Sequence, residues 1–260
     1  MRYKIKPIKR LGQNFLIDKQ VIKKVIRAAN LNSKDIVLEI GPGTGALTQE
    51  IAKTVKKVIA VEKDPRMCEA LKENLKDFKN IEIINQDILN YSLPTTHYKL
   101  IANLPFYITA PVIRKFLEAK YSPKEMVLIT QKEVAQRICS KPPKTNLLAI
   151  SVQFYAKPKI ISYISKKSFY PIPKVDSAII KITPCAKPSL AQNKDKFFRI
   201  VKAGFSHPRK QLANNLSKML KLDKKNLSFL LLKNNIKPSQ RAETLTVQDW
   251  INLFNSIHNS

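Results

Sequence analysis

Between residues 35 and 130, five short apolar runs alternate with stretches of helical spacing, and this alternation most narrows the fold. The runs lie at 35–40, 57–61, 81–85, 98–102 and 125–130, each the length of a buried strand. Between them the pattern predicts a helix to about 52, a second from Asp64-Pro65, a cap followed by a first-turn proline, to about 76, and a third from Thr109-Ala-Pro111 to about 118. Strands alternating with helices imply an α/β fold with a mostly parallel sheet covered on both faces.

The flanks are less regular. Residues 1–17 read as a basic arm, and Asp18 as the N-cap of a helix over 19–30 with Val21, Ile22, Val25 and Ile26 on one face. After Lys141-Pro-Pro-Lys144 the pattern is harder to read. Residues 147–155 suit helix or strand, whereas 159–164 and 175–182 look like paired strands closing the sheet. A proline-containing linker is expected at 184–194, then helices over 197–205, 209–220, 224–233 and 247–257. The expected division is therefore a catalytic domain, 1–184, and a small helical domain, 185–260.

Composition sets the class of partner. Forty-seven basic against 19 acidic residues give a formal charge of +28, which points to a polyanion. Thirty-eight of the 47 are Lys, so part of this charge reads as lysine-rich solvated surface. No apolar run reaches membrane-spanning length, and the basic N-terminus leads into no apolar signal core, so a cytoplasmic protein is expected. Cys68, Cys139, Cys185 and the three histidines are scattered, without metal-site spacing.

Three of the five glycines fall in Gly41-Pro-Gly-Thr-Gly45, between a strand and a helix, where α/β sheets bind ligands. The loop alone also satisfies a relaxed dinucleotide fingerprint. Glu62 ends the second strand, placed to take both hydroxyls of a ribose, or is a solvated charge beside Lys63 and Asp64. Asp87 follows the third strand and either accepts from an adenine amino group or caps a turn. Asn103-Leu104-Pro105-Phe106 follows the fourth. Asn103 Oδ1 can accept one amino hydrogen and a loop carbonyl, best that of Leu104, a second. Pro105 fixes the turn, and Phe106 can stack on a base taken out of its stack. An ordinary turn with a core Phe is the alternative for the tetrapeptide alone. Together the four positions suit S-adenosylmethionine better than a nicotinamide, because a dehydrogenase has no use for an amino clamp and its catalytic acid or base is missing. A sulfonium methyl is already electrophilic, so the protein supplies mainly positioning and electrostatics.

The chain resembles the ribosomal RNA adenine N6,N6-dimethyltransferases, the KsgA type of bacteria, over nearly its whole length. The resemblance rests on Leu11-Gly-Gln-Asn-Phe-Leu16, Glu39-Ile-Gly-Pro-Gly-Thr-Gly-Ala-Leu-Thr48, Val61-Glu-Lys-Asp64, Gln86-Asp87, Asn103-Leu-Pro-Phe106, Gln131-Lys-Glu-Val-Ala135, Phe169-Tyr-Pro-Ile-Pro-Lys-Val-Asp-Ser177 and Arg241-Ala-Glu-Thr-Leu245. It implies a class I S-adenosylmethionine-dependent methyltransferase fold with a C-terminal helical domain. It further implies that Asn14 and Leu16 close over the methionine end of the cofactor. Gly41 then contacts it through backbone, Glu62 binds its ribose and Asp87 its adenine. Asn103 and the Leu104 carbonyl hold the target N6 amine, Phe106 stacks on one face of the target base and Phe169 covers the other.

The implied substrate is a pair of adjacent adenosines in the 3′-terminal hairpin of 16S ribosomal RNA, within the 30S subunit or its precursor. Arg209 and Lys210 lie in a family motif and are the expected RNA contacts, with Lys218, Lys221, Lys224 and Lys225 nearby. No metal is implied, and nothing demands more than a monomer. Ala110 stands where the family usually has Ser or Thr. His207-Pro208 stands before Arg209 where Gln-Arg is more frequent, and 141–146 lacks the usual Tyr-Gly stretch. Competing readings are a large-subunit rRNA adenine methyltransferase of the antibiotic-resistance type, a non-catalytic small-subunit assembly factor and, more distantly, an oxidoreductase.

Overall fold

All five apolar runs form strands, each within one residue of its expected ends. The computed structural model describes residues 6–8, 11–186 and 193–258. Its elements are β1 (Phe15–Leu16), α1 (Lys19–Ala29), β2 (Ile36–Ile40), α2 (Ala46–Ala52), β3 (Lys57–Glu62), α3 (Pro65–Asn74), β4 (Ile81–Asn85), β5 (Lys99–Asn103), α4 (Thr109–Glu118), β6 (Met126–Gln131) and α5 (Lys132–Ile138). There follow α6 (Leu147–Gln153), β7 (Ala156–Ile164), β8 (Phe169–Tyr170), β9 (Ser177–Pro184), α7 (Lys194–Gly204), α8 (Leu212–Leu220), α9 (Lys224–Lys233) and α10 (Val247–His258). Parts of the expected basic arm (1–5, 9–10) and of the linker (187–192) lie outside the described residues.

Seven strands form one sheet in the order β4-β3-β2-β5-β6-β9-β7. The first five are parallel, β9 runs antiparallel to β6, and β7 antiparallel to β9, so the two late runs do close the sheet. The chain winds outward from β2 to β3 and β4, then returns to place β5 on the other side of β2. Ile40 and Ala102 are register partners there. This reversal opens a crevice at the C-terminal ends of β2 and β5, the usual ligand position of such sheets.

Helix α1 shows how local chemistry seats a covering element. The Asp18 carboxylate accepts from the Gln20 and Val21 amides at 2.8 and 3.3 Å, satisfying two of the orphan donors. Val21, Ile22, Val25 and Ala29 are buried on one face, and Asn30 ends the helix in the left-handed conformation at φ 43°. Fully burying one such aliphatic side chain contributes about 1.5–3 kcal/mol.

The chain divides into two compact units. One holds the described residues up to 136 together with 156–184, and the other holds 137–155 with the described residues from 185 onward. The boundary expected at 184/185 is thus corrected for one segment. Phe154 stacks on Phe197 with ring centroids 4.5 Å apart, and the Thr145 hydroxyl donates to the Glu243 and Leu245 carbonyls at 2.9 and 3.2 Å. Residues 137–155 therefore complete the core of the helical unit, and Arg241-Ala-Glu-Thr-Leu245 is the socket that receives them. One open reading closes, and one expected bound shifts. Residues 147–153 are helix, with Asn146 accepting from the Ala149 amide at 3.0 Å as its cap. Helix α8 begins at Leu212, which leaves Arg209 and Lys210 exposed in the preceding loop.

Candidate active site

A cavity of about 330 Å³ opens at the β2/β5 crevice, within the size range of small-ligand sites. Asn14, Leu16, Gly41, Glu62, Asp87, Asn103, Leu104, Pro105 and Phe169, all expected from sequence, line it. The side chain of Phe106, and with it the expected stacking, lies outside the described residues; its backbone opens a short 3-10 helix, Phe106–Ile108.

The floor is the glycine loop. Gly43 sits at φ +57°, and a Cβ there would stand 3.0 Å from Phe15 Cδ1, so backbone shape and space both require glycine. The Gly43 amide donates to Glu62 Oε2 at 3.4 Å, and the Asp64 amide to Glu62 Oε1 at 2.9 Å. Glu62 is buried, which raises its pKa above the ordinary carboxylate value, while these amides oppose the rise.

Glu39, one strand away on β2, is a functional candidate to which strand pattern and motif give no role. It is 2% exposed, and its Oε2 has no hydrogen-bond partner among the described residues. Burial, with the nearby Glu62 charge adding to it, pushes its pKa up to about 8 against the pull of the Thr48 hydroxyl. The signal was an acidic residue inside an otherwise apolar strand, immediately before the loop.

Asp87 caps a turn, as one of its two readings expects, and stands where the other would need it. It lines the cavity, and Oδ1 also caps the following turn by accepting from the Leu89 amide at 2.9 Å. Oδ2 accepts from Lys63 Nζ at 2.7 Å, and that ammonium holds the carboxyl below its usual pKa.

The arm forms the roof. β1 pairs antiparallel with β8, with Leu16 opposite Phe169 and Phe15 opposite Tyr170. Gly12 crosses directly over Pro105; a Cβ there would be 3.2 Å from Pro105 Cβ, and φ is +63°. Gln13 Nε2 donates to Asp64 Oδ2 at 2.9 Å. Asn103, the last residue of β5, donates from Nδ2 to the Asn14 carbonyl at 3.0 Å, and its Oδ1 accepts from no donor among the described residues. The Leu104 amide is held by the Ile129 carbonyl at 3.2 Å. The sequence carried no sign of these arm contacts, because they join residues far apart in the chain.

This donor set fits an adenosyl cofactor. Carboxylates at the ends of two strands suit hydroxyl and amino donors. A glycine floor admits close backbone approach, and a buried carboxyl oxygen without a partner suits a polar group of the ligand. The family model for ribosomal RNA adenine dimethylase matches residues 5–259. The chain belongs to that family. The ribosomal RNA small subunit methyltransferase A of Dehalococcoides mccartyi (strain CBDB1) is 44% identical over 254 residues, covering 95% of this chain and 87% of that protein. A dimethyladenosine transferase from Plasmodium falciparum superposes with a TM-score of 0.84 at 28% identity, over 94% of this chain and 98% of that one. The 23S rRNA methyltransferase ErmE superposes at 0.79 with 26% identity, over 94% and 100%. As a ribosomal RNA adenine dimethylase the chain is an S-adenosylmethionine-dependent methyltransferase of the class I fold. Among the described residues no cluster of His, Cys, Asp or Glu could hold a metal ion, and no helix is long and apolar enough to cross a membrane.

Proposed function

We propose that this dimethylase transfers methyl groups to N6 of two adjacent adenosines in the 3′-terminal hairpin of 16S ribosomal RNA, carried in the 30S particle or its precursor. The observation that carries the reading is Asn103: an amide at the strand end, oriented through Nδ2 by the arm, with Oδ1 left to accept from an exocyclic amine. Small-subunit relatives spanning almost the whole chain support the choice of RNA.

In this reading Glu62 takes the ribose hydroxyls and Asp87 the adenine amine of the cofactor, Gly41 meets it through backbone, and Asn14 and Leu16 cover its methionine end. The bound cofactor supplies an electrophilic methyl. Asn103 Oδ1 and the Leu104 carbonyl orient the target amine so that its lone pair faces that methyl, Pro105 holds the turn, and Phe106 and Phe169 flank the base. Arg209 and Lys210 meet RNA phosphates. Displacement at a sulfonium needs no metal, and one chain completes the cavity, so a cytoplasmic monomer suffices.

The test is nucleoside mass spectrometry of unmethylated 30S particles and, in a separate reaction, of large-subunit RNA, each incubated with the protein and S-adenosylmethionine, with Asn103→Ala in parallel. Dimethyladenosine that depends on Asn103 is the expected result. Product only on large-subunit RNA, the substrate class in the name of the ErmE structure, overturns it in favour of that reaction. Particle binding without product overturns it in favour of an assembly factor.

A further inference from the structure

Two sequence motifs have no work in the reading above: Gln131-Lys-Glu-Val-Ala135 and Pro173-Lys-Val-Asp-Ser177. They meet at a second, open concavity of about 350 Å³. Lys132, Lys166 and Lys174 project along it, with Glu133 and Asp176. Asp176 ties the segments together. Its carbonyl accepts from the Lys132 amide at 3.0 Å, and its Oδ1 from the Lys166 amide at 3.0 Å. Lys132 Nζ lies 5.2 Å from the centre of the Tyr163 ring, and Gln136 Nε2 donates to that tyrosine's hydroxyl at 3.4 Å. The lysine is thereby held at the lip of the groove by a cation–π contact.

The loop from Pro173 to Ser177 is the shared wall. Pro173 and Ser177 line the cavity, whereas Lys174 and Asp176 line the groove. A base turned out into the cavity leaves its sugar-phosphate at the rim, one loop's width away. All three lysines are exposed, so their ammonium groups are available to an anion. We propose that this groove takes the phosphodiester backbone of the RNA strand adjoining the target adenosine. The inference rests on the ribosomal RNA substrate proposed above. Such contacts set register without reading sequence. Glu133 opposes the backbone, and the Asp176 carboxylate is engaged by the Lys166 amide.

The test is steady-state methyl transfer to 30S particles at several salt concentrations. Lys132→Gln with Lys174→Gln should raise KM for the particle about tenfold and flatten the salt slope of log(kcat/KM) by about two. Values of kcat and KM for S-adenosylmethionine should stay within about twofold. Glu133→Gln should lower KM for the particle, an effect that misfolding cannot mimic. Lys34→Gln with Lys79→Gln removes the same charge beside the N-terminal ends of β2 and β4, away from the crevice, and should leave KM nearly unchanged. A lysine pair indistinguishable from that control, in an enzyme whose wild type methylates the particle, overturns the groove alone. A wild type that methylates no 30S particle overturns the substrate reading and the groove with it.

Discussion

Asn103 and Asn14 stand 89 positions apart and share one hydrogen bond, from Asn103 Nδ2 to the Asn14 carbonyl at 3.0 Å. If Asn103 holds the target amine as proposed, the bond makes the arm part of that clamp. It orients the side-chain amide, and it exists only while the arm lies over the cavity.

Asn103→Asp keeps an acceptor in place but removes the donor and sets a carboxylate against the Asn14 carbonyl. Single-turnover methyl transfer should fall by about 10²–10³, comparable to losing one positioned electrostatic partner. Limited proteolysis near Asn14 should speed up in parallel. A variant as fast as wild type, with an equally protected arm, would remove Asn103 from the reaction.

Glu39 makes stability depend on pH in an unusual direction. Its carboxyl holds its proton in the folded protein up to about pH 8, whereas in the unfolded chain it ionises near 4.5. Between these values the folded state binds more protons, so stability falls as pH rises. Glu39→Gln removes the titration. It should flatten the urea-unfolding profile between pH 5 and 8 and gain a few kcal/mol at the upper end, on the order set by such shifts. An unchanged slope would show that Glu39 does not carry it.

Asp64 works in the opposite sense. The side-chain bonds from Arg66, at 2.6 Å to Oδ2, and from Gln13 hold its pKa at about 2 against the desolvation that would raise it. The stability this contributes, on the order of 1–2 kcal/mol, is present above the ordinary carboxylate pKa near 4 and is lost as pH falls through 2. Gln13→Ala should narrow that acid dependence and raise the Kd for S-adenosylmethionine severalfold, because the arm loses its hold beside the Glu62 loop. Calorimetric titration and acid unfolding read the two effects separately. An unaltered Kd would mean that the Gln13 contact does not help seal the cavity.

Gly43→Ala should cost about 1–3 kcal/mol, since the added methyl meets both a left-handed backbone and the Phe15 ring. Thermal unfolding measures the loss. Cofactor affinity should fall with it, because Phe15 belongs to the strand that roofs the cavity. A variant of wild-type stability would show that the loop relaxes freely.

Much of this molecule is readable from local pattern. Apolar runs of strand length, the glycine loop between a strand and a helix, the acids after the second and third strands and Asn103 after the fourth are short-range features. Backbone sterics and strand periodicity express them whatever the distant chain does. That logic placed the five parallel strands and, at the cavity, Gly41, Glu62, Asp87 and Asn103; Asn14, Leu16 and Phe169 followed only from the family resemblance. Long-range contacts decided the rest. The reversal of strand order at β2 and β5 brings Gly41 beside Asn103, and the pairing of Leu16 with Phe169 lays the arm over the site. Packing of Phe154 on Phe197 draws 137–155 into the helical unit. Burial turns Glu39 from an ordinary acid into one that keeps its proton near neutrality. Each depends on which surfaces exclude water together, a property of the folded whole that no stretch of sequence carries alone.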